Sequence, residues 1–244
     1  MINIDILIPL ALVALAAIIH ASFQLSVSVL TLLSGHALGR KTAHMRLLRL
    51  AGGFIAGAGV MTLLLLSTSA YTLSILLPLH TPMVIWAIAA GAVIGVGVSV
   101  WMFYYRGHKG TSLWIPRGFA DYLSGRAKSS KAASETFGLG LTSVMAELLF
   151  IFAPVLVASL ILIRLSPELQ LAGIVLYTAI SLLPLLIVGS LIGGGHKLSA
   201  IQRWRETNKR FLQFAAGSGL FILGTYVYVE YVIVTGTVAL GSNL

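Results

Sequence analysis

The chain has 244 residues, of which 58% are hydrophobic and only 9% charged, with a formal net charge of +9 and no cysteine. With a mean hydropathy of +0.97, this is not the balance of a soluble globular domain. The missing cysteines exclude disulfides, thiolate metal sites and thiol–disulfide electron relay. Excess positive charge would ordinarily suggest a nucleic-acid partner, but fifteen of the 16 Lys and Arg residues fall in three short segments between apolar runs, and only Arg164 lies elsewhere. Anionic headgroups and the insertion machinery account for cations placed so, and no nucleic-acid partner is expected.

A membrane span needs about 20 apolar residues. Six stretches qualify, at about residues 6–34, 47–77, 83–105, 137–163, 169–194 and 211–238, so the expected fold is an all-α polytopic membrane protein with six transmembrane helices. Arg40, Lys41, Arg46 and Arg49 lie between the first two spans. Arg106, Lys109, Arg117, Arg126, Lys128 and Lys131 lie after the third, and Lys197, Arg203, Arg205, Lys209 and Arg210 after the fifth. The positive-inside rule then puts the odd connections in the cytoplasm and both termini outside, in a multi-pass protein of the plasma (cytoplasmic) membrane. The start MINID has no basic n-region, so the first span is read as a retained helix and not as a signal peptide. That span and the second exceed the bilayer thickness and must tilt, break or project beyond it.

Three spans on each side of a cytoplasmic connection make odd-numbered halves, residues 1–105 and 137–244, for which an inverted repeat is the natural geometry. Within the 106–136 connection, Ile115, Phe119, Tyr122 and Leu123 follow Trp114 at helical spacing, with Arg117, Asp121 and Arg126 on other faces. This fits a short amphipathic helix on the inner leaflet, or else a solvated loop with aromatic anchors. The stretch SAIQRWRETNKR extends the sixth helix into the cytoplasm, with Trp204 near the headgroups.

Ionisable side chains inside apolar spans are expensive, and they normally face a protein interior or a wet cavity. Three occur: His20, Glu147 and Glu230. Glu147 sits within a turn of the middle of span four, on a stripe with Ser143 and Gly140. Pro154, two turns on, cannot donate to the helical ladder and marks a backbone break. His20 lies near the middle of span one and continues into Gln24, Ser28 and Thr31 at helical spacing. Tyr177 and Ser181, followed by the second break at Pro184, form a weaker polar line on span five. Glu230, in the outer third of span six, is surrounded by Tyr226, Tyr228 and Tyr231, which an interfacial aromatic belt also explains. For each of these groups the plain alternative is a hydrogen-bonded packing residue. If a metal is bound, Glu147 and His20 are its candidate ligands.

Gly53 and Gly57, Gly91 and Gly95, and Gly217 and Gly219 put small residues on spans two, three and six, first of all a packing signal. The run Gly193, Gly194, Gly195 before His196 is neither a phosphate loop nor a dinucleotide fingerprint. There is no H-E-x-x-H, no G-x-S-x-G and no closely spaced carboxylate pair, so soluble-type hydrolytic chemistry has no support. No cofactor is expected.

In its six spans, its outside termini, its long basic connection after span three and its polar, proline-bearing fourth span, the chain resembles the lysine-exporter superfamily. The stretches GLGLTSVMAELLFIFAPVLVASLIL and RWRETNKRFLQFAAGSGLFILGTYVY are similar to spans four and six of its cytochrome c biogenesis thiol-relay branch. That branch uses a cysteine in spans one and four, and this chain has none. In the cation-exporting branches the resemblance implies acidic or amide ligands in the same two spans, where Glu147, His20 and Gln24 stand. The aspartate-rich metal motifs of span one are missing.

The expectation is a secondary transporter or exporter of a small solute, a metal cation or an amino-acid-like molecule, and not an enzyme. Its midplane site would lie between spans one and four, with Glu147, His20, Gln24 and Ser143 as its core and Ser28, Tyr177, Ser181 and Glu230 as further candidates. Glu147 would couple protons or coordinate a cation, and one half would rock against the other. Two alternatives stand beside it. One is a non-transporting subunit that holds a membrane partner, or a second copy of itself, through its glycine-rich faces. The other is an intramembrane enzyme acting on a lipid-linked substrate.

Overall fold

The computed structural model describes residues 4–23, 27–31, 41–78, 81–103, 117–194 and 198–234. Among these residues all regular structure is helical. In chain order the helices are α1 (Ile4–Ser22), α2 (Lys41–Leu76), α3 (Met83–Phe103), α4 (Arg117–Ser129), α5 (Ala133–Leu162), α6 (Pro167–Gly193) and α7 (Leu198–Tyr228), the last running into a π-helical turn, Val229–Val234. Among the described residues, five helices (α2, α3, α5, α6 and α7) are long and apolar enough to cross a membrane, while α1 is a shorter apolar helix.

The first apolar stretch is not one helix. Ser22 Oγ donates to the Ile19 carbonyl at 2.6 Å, and the Phe23 amide turns back to the His20 carbonyl three residues earlier. A hydroxyl that takes the carbonyl offers the backbone an alternative to the helical ladder, and α1 ends there. Residues 27–31 resume as a short helical segment. Ser28 and Thr31 therefore sit on a different piece of backbone from His20, and Gln24 lies outside the described residues. The polar stripe read as one helical face is thus divided between two segments.

The bundle is organised around α5, which packs against α2, α1, α3 and, slightly, α6. From Ile151 to Leu162 nearly every residue of α5 is buried, the pattern of a helix enclosed on all sides. The main interfaces are α2 with α5, α3 with α7 and α1 with α6; α2 also meets α6, and α1 meets α7.

Glycines set the closest of these approaches. A Cβ on Gly53 would lie 2.6 Å from the Ala133 carbonyl oxygen, one on Gly57 would collide with the Phe137 carbonyl, and one on Gly140 with the Phe54 carbonyl. Between apolar helices in lipid, such backbone proximity supplies the van der Waals contact that holds them together. Across the bundle, Gly217 accommodates the Trp101 indole and Gly97 approaches the Gly217 carbonyl. Gln213 caps the end of α3 by donating to the Val100 and Trp101 carbonyls. Gly91 and Gly95 differ from the packing role read for them, since a Cβ on either would meet nothing within 4 Å.

The amphipathic segment is a helix, α4, that turns one apolar face to the bundle and leaves its aromatic side chains outward. Leu123 and Ala127 are buried, while Phe119 and Tyr122 are exposed. Trp114 and Ile115 lie outside the described residues. The sixth-span helix does begin before the apolar run, as α7 starts at Leu198.

Candidate intramembrane polar site

Where α1, α2, α5 and α6 converge, a small cavity is lined by His20, Phe23 and Val27 of the first stretch, Ala58 and Thr62 of α2, Val144 and Glu147 of α5, and Ser181, Leu182, Pro184 and Leu185 of α6. Its free volume is about 20 Å³, which is room for about one water. Glu147 is 3% exposed and His20 5%, so both ionisable groups are inside the protein and not at the lipid face. Glu147 comes from the middle of α5 and His20 from the last turn of α1, both among apolar neighbours.

Local sequence explains why the helices leave a space here. The α1 backbone ends at Phe23, whose ring stacks on Phe150 of α5 with centroids 5.7 Å apart. On the opposite wall, Pro184 has no N–H for the Ile180 carbonyl one turn earlier. The end of α1 and a missing ladder bond within the continuous helix α6 therefore border one cavity. In a membrane such interruptions are tolerated only where protein or water covers them.

His20 Nδ1 is 3.1 Å from the Tyr177 hydroxyl, and both side chains are buried. That bond determines which imidazole nitrogen serves the cavity. The Ser181 hydroxyl donates to the Thr178 carbonyl and the Thr62 hydroxyl to the Ala58 carbonyl. With their protons committed to their own helices, both oxygens present lone pairs. Together with the Glu147 carboxyl they make a lining rich in acceptors, suited to a proton, a hydrated proton or a small cation and unsuited to an anion.

Among the residues expected from sequence, the cavity brings together His20, Glu147 and Ser181, with Tyr177 behind His20 and Pro184 in the wall. Ser143 is buried and donates to Gly140 of its own helix, off the cavity wall. Pro154 lies in the buried half of α5 beyond Glu147. Ser28 accepts from Arg205 Nη2 at 2.8 Å, on the far side of Val27. Glu230 is exposed in the π-helical turn, beside Tyr231, whose ring stacks on Trp86 at 4.0 Å. The Arg164 guanidinium sits over both rings.

Thr62 was not singled out by sequence, and a threonine on a glycine-rich apolar helix carries no signal of its own. Arg205, counted among flanking cations, is 3% exposed. Among the described residues no group of three or more His, Cys, Asp or Glu could hold a metal ion, so a metal here would have Glu147 and His20 plus hydroxyl or backbone oxygens. No family model, curated protein or solved structure matches this chain.

Proposed function

We propose that this helical membrane protein is a secondary transporter of a small solute, with Glu147 and His20 as its proton- or cation-coupling pair. The observation that carries this reading is the small, acceptor-rich cavity lined by a carboxyl and an imidazole from different helices, beside the end of α1 and the proline of α6. An intramembrane carboxyl and imidazole of this kind commonly mark ion or proton routes. A volume of about 20 Å³ holds a water or a bare cation but not an amino acid. The described arrangement therefore has room for the coupling ion alone, and binding of a larger solute requires the halves to part.

The finer architecture belongs to the same proposal. Six spans follow if α1 and residues 27–31 together make the first, with the basic connections in the cytoplasm and both termini outside. The pattern of helix packing supports an inverted repeat. Exchanging α1 with α5, α2 with α6 and α3 with α7 turns the α2–α5 interface into α6–α1 and the α1–α7 contact into α5–α3. The α3–α7, α1–α5 and α2–α6 pairs map onto themselves, whereas the α2–α5 interface is much the larger of its pair and the slight α5–α6 contact has no counterpart of its size among the described residues. This organisation also fits the resemblance to the lysine-exporter superfamily, with the thiol-relay chemistry excluded by the absence of cysteine.

One rival reading draws on a specific observation. A cavity with room for a single water is also what a closely packed, non-transporting partner subunit would contain. Reconstitution into liposomes separates the two. Under an imposed pH gradient, amino acids and monovalent and divalent cations are screened for flux with wild type and Glu147→Gln. Coupled flux of some solute that the substitution abolishes, with the variant equally folded, is the expected result. No flux for any solute with folded wild type would move the assignment to the partner subunit.

A further inference from the structure

The helix α4 has two apolar faces, and the bundle covers one of them. Leu123 and Ala127 turn inward, 1% and 2% exposed, with Ala120 packed beside them against the core, and α4 meets α5 on this side. Phe119 and Tyr122 lie about 100° further round the helix. They are 38% and 52% exposed, with ring centroids 6.5 Å apart. Asp121 and Lys128, both exposed, fall on the side opposite to both apolar faces. The apolar arc of α4 is therefore continuous, one half resting on protein and the other turned outward.

The position of α4 limits what can cover the outward half. Only residues 130–132 separate it from α5, and hydrogen bonds hold that corner from both sides. The Ser130 amide and hydroxyl donate to the Arg126 carbonyl at the end of α4, while the Glu135 carboxylate accepts from the Lys131 and Ala132 amides at the start of α5. Since α5 is long and apolar enough to cross a membrane, α4 is held close to the level at which α5 leaves a bilayer. Aromatic side chains are favoured at that level. Charge agrees with the position, as residues 106–136 carry six Lys or Arg against two carboxylates.

We propose that α4 is an interfacial anchor whose Phe119–Tyr122 face is inserted into an anionic lipid leaflet at the N-terminal end of α5. In the orientation taken from the basic segments this is the cytoplasmic leaflet. Amphipathic helices of this kind lie in the plane of the interface with the apolar side about 5–10 Å into the boundary between headgroups and acyl chains, and basic residues strengthen the attachment to anionic lipid. Through the corner at residues 130–132, the anchor sets the depth of the helix that carries Glu147.

Because the chain has no cysteine, a single nitroxide label can report depth. The full chain is reconstituted into vesicles of phosphatidylglycerol and phosphatidylcholine, with the label attached through Phe119→Cys or, in a separate variant, through Asp121→Cys. Electron paramagnetic resonance then compares collisions with oxygen, which concentrates in lipid, and with a neutral nickel chelate present in the water on both sides. The label at position 119 is expected about 5–10 Å below the phosphates, and the one at position 121 in water. Tyr122→Cys reads the same face a second time and decides the matter should Phe119→Cys not fold. In vesicles of phosphatidylcholine alone, the label at position 119 should lie closer to the surface. Equal exposure of the labels at 119 and 121 to the chelate would overturn the proposal, since α4 would then be solvated all round. Protection of the label at 119 from both reagents would overturn it as well, because a protein partner or a second copy of the chain would then cover the face. Unchanged depth without the anionic lipid would overturn the preference assigned to charge. The readout is depth and is independent of whether the protein transports.

Discussion

Glu147 would cost roughly 2.5–3.5 kcal/mol at the centre of a bilayer on insertion scales, and the cavity it shares with His20, Thr62 and Ser181 provides polar surroundings that offset this. The Tyr177 hydroxyl has a narrower role, orienting the imidazole through Nδ1. Tyr177→Phe keeps the ring packing and removes that bond. The expected result is a loss of about 1 kcal/mol in stability, read as a lower melting temperature in detergent, together with reduced coupled flux. Unchanged melting and flux would mean that the bond positions nothing. Thr62→Val, which removes a lone pair from the lining and keeps the shape, should lower flux while leaving the melting temperature within a degree or two. Sequence pointed to Glu147 and His20 because charge in an apolar run is visible without a structure. Thr62 and Arg205 could not be singled out in that way. A threonine is ordinary in any helix, and an arginine among other cations gives no sign of which face of its helix it occupies.

At the scale of single helices, the contacts that hold the bundle are backbone approaches. Gly57→Ala drives a methyl group into the Phe137 carbonyl, so α2 and α5 must separate. The expected destabilisation is about 1–3 kcal/mol, measured by thermal unfolding. Gly91→Ala meets open space and should leave stability unchanged or slightly raised, as alanine is the better helix former. Equal effects of the two substitutions would contradict the packing described. The positions of the five long helices were legible from hydropathy, including the excess length of the second stretch, whereas the first stretch holds a shorter helix than expected. The place where the first one breaks was not. It depends on a serine hydroxyl capturing one carbonyl, a competition that composition does not reveal. Nor could the glycine spacing distinguish Gly53 and Gly57, which touch α5, from Gly91 and Gly95, which touch nothing, because identical spacing occurs on a packed face and on an unpacked one.

For the whole molecule, the chain's lack of cysteine makes orientation directly measurable. Single cysteines at Ser130, before α5, and at Ser166, between α5 and α6, should react oppositely with a membrane-impermeant thiol reagent in intact cells. Ser166Cys should label and Ser130Cys should remain protected until the membrane is opened. The reverse pattern would invert the orientation taken from the basic segments. The class of fold was readable from the alternation of apolar spans and cations. The pairwise exchange of packing partners that supports a repeat emerged only from the assembled helices, since the two halves carry little sequence similarity.

The central claim is that the Glu147 carboxyl, although enclosed, exchanges protons with water as part of a working cycle. Infrared difference spectroscopy of the reconstituted protein, wild type against Glu147→Gln and in H₂O against D₂O, tests it most directly. The account predicts a carboxyl band that is absent from the variant, that shifts on transfer to D₂O and that responds to bulk pH. A band that neither shifts nor titrates after prolonged incubation would mean that Glu147 is sealed in as a packing group, and the coupling role would be lost.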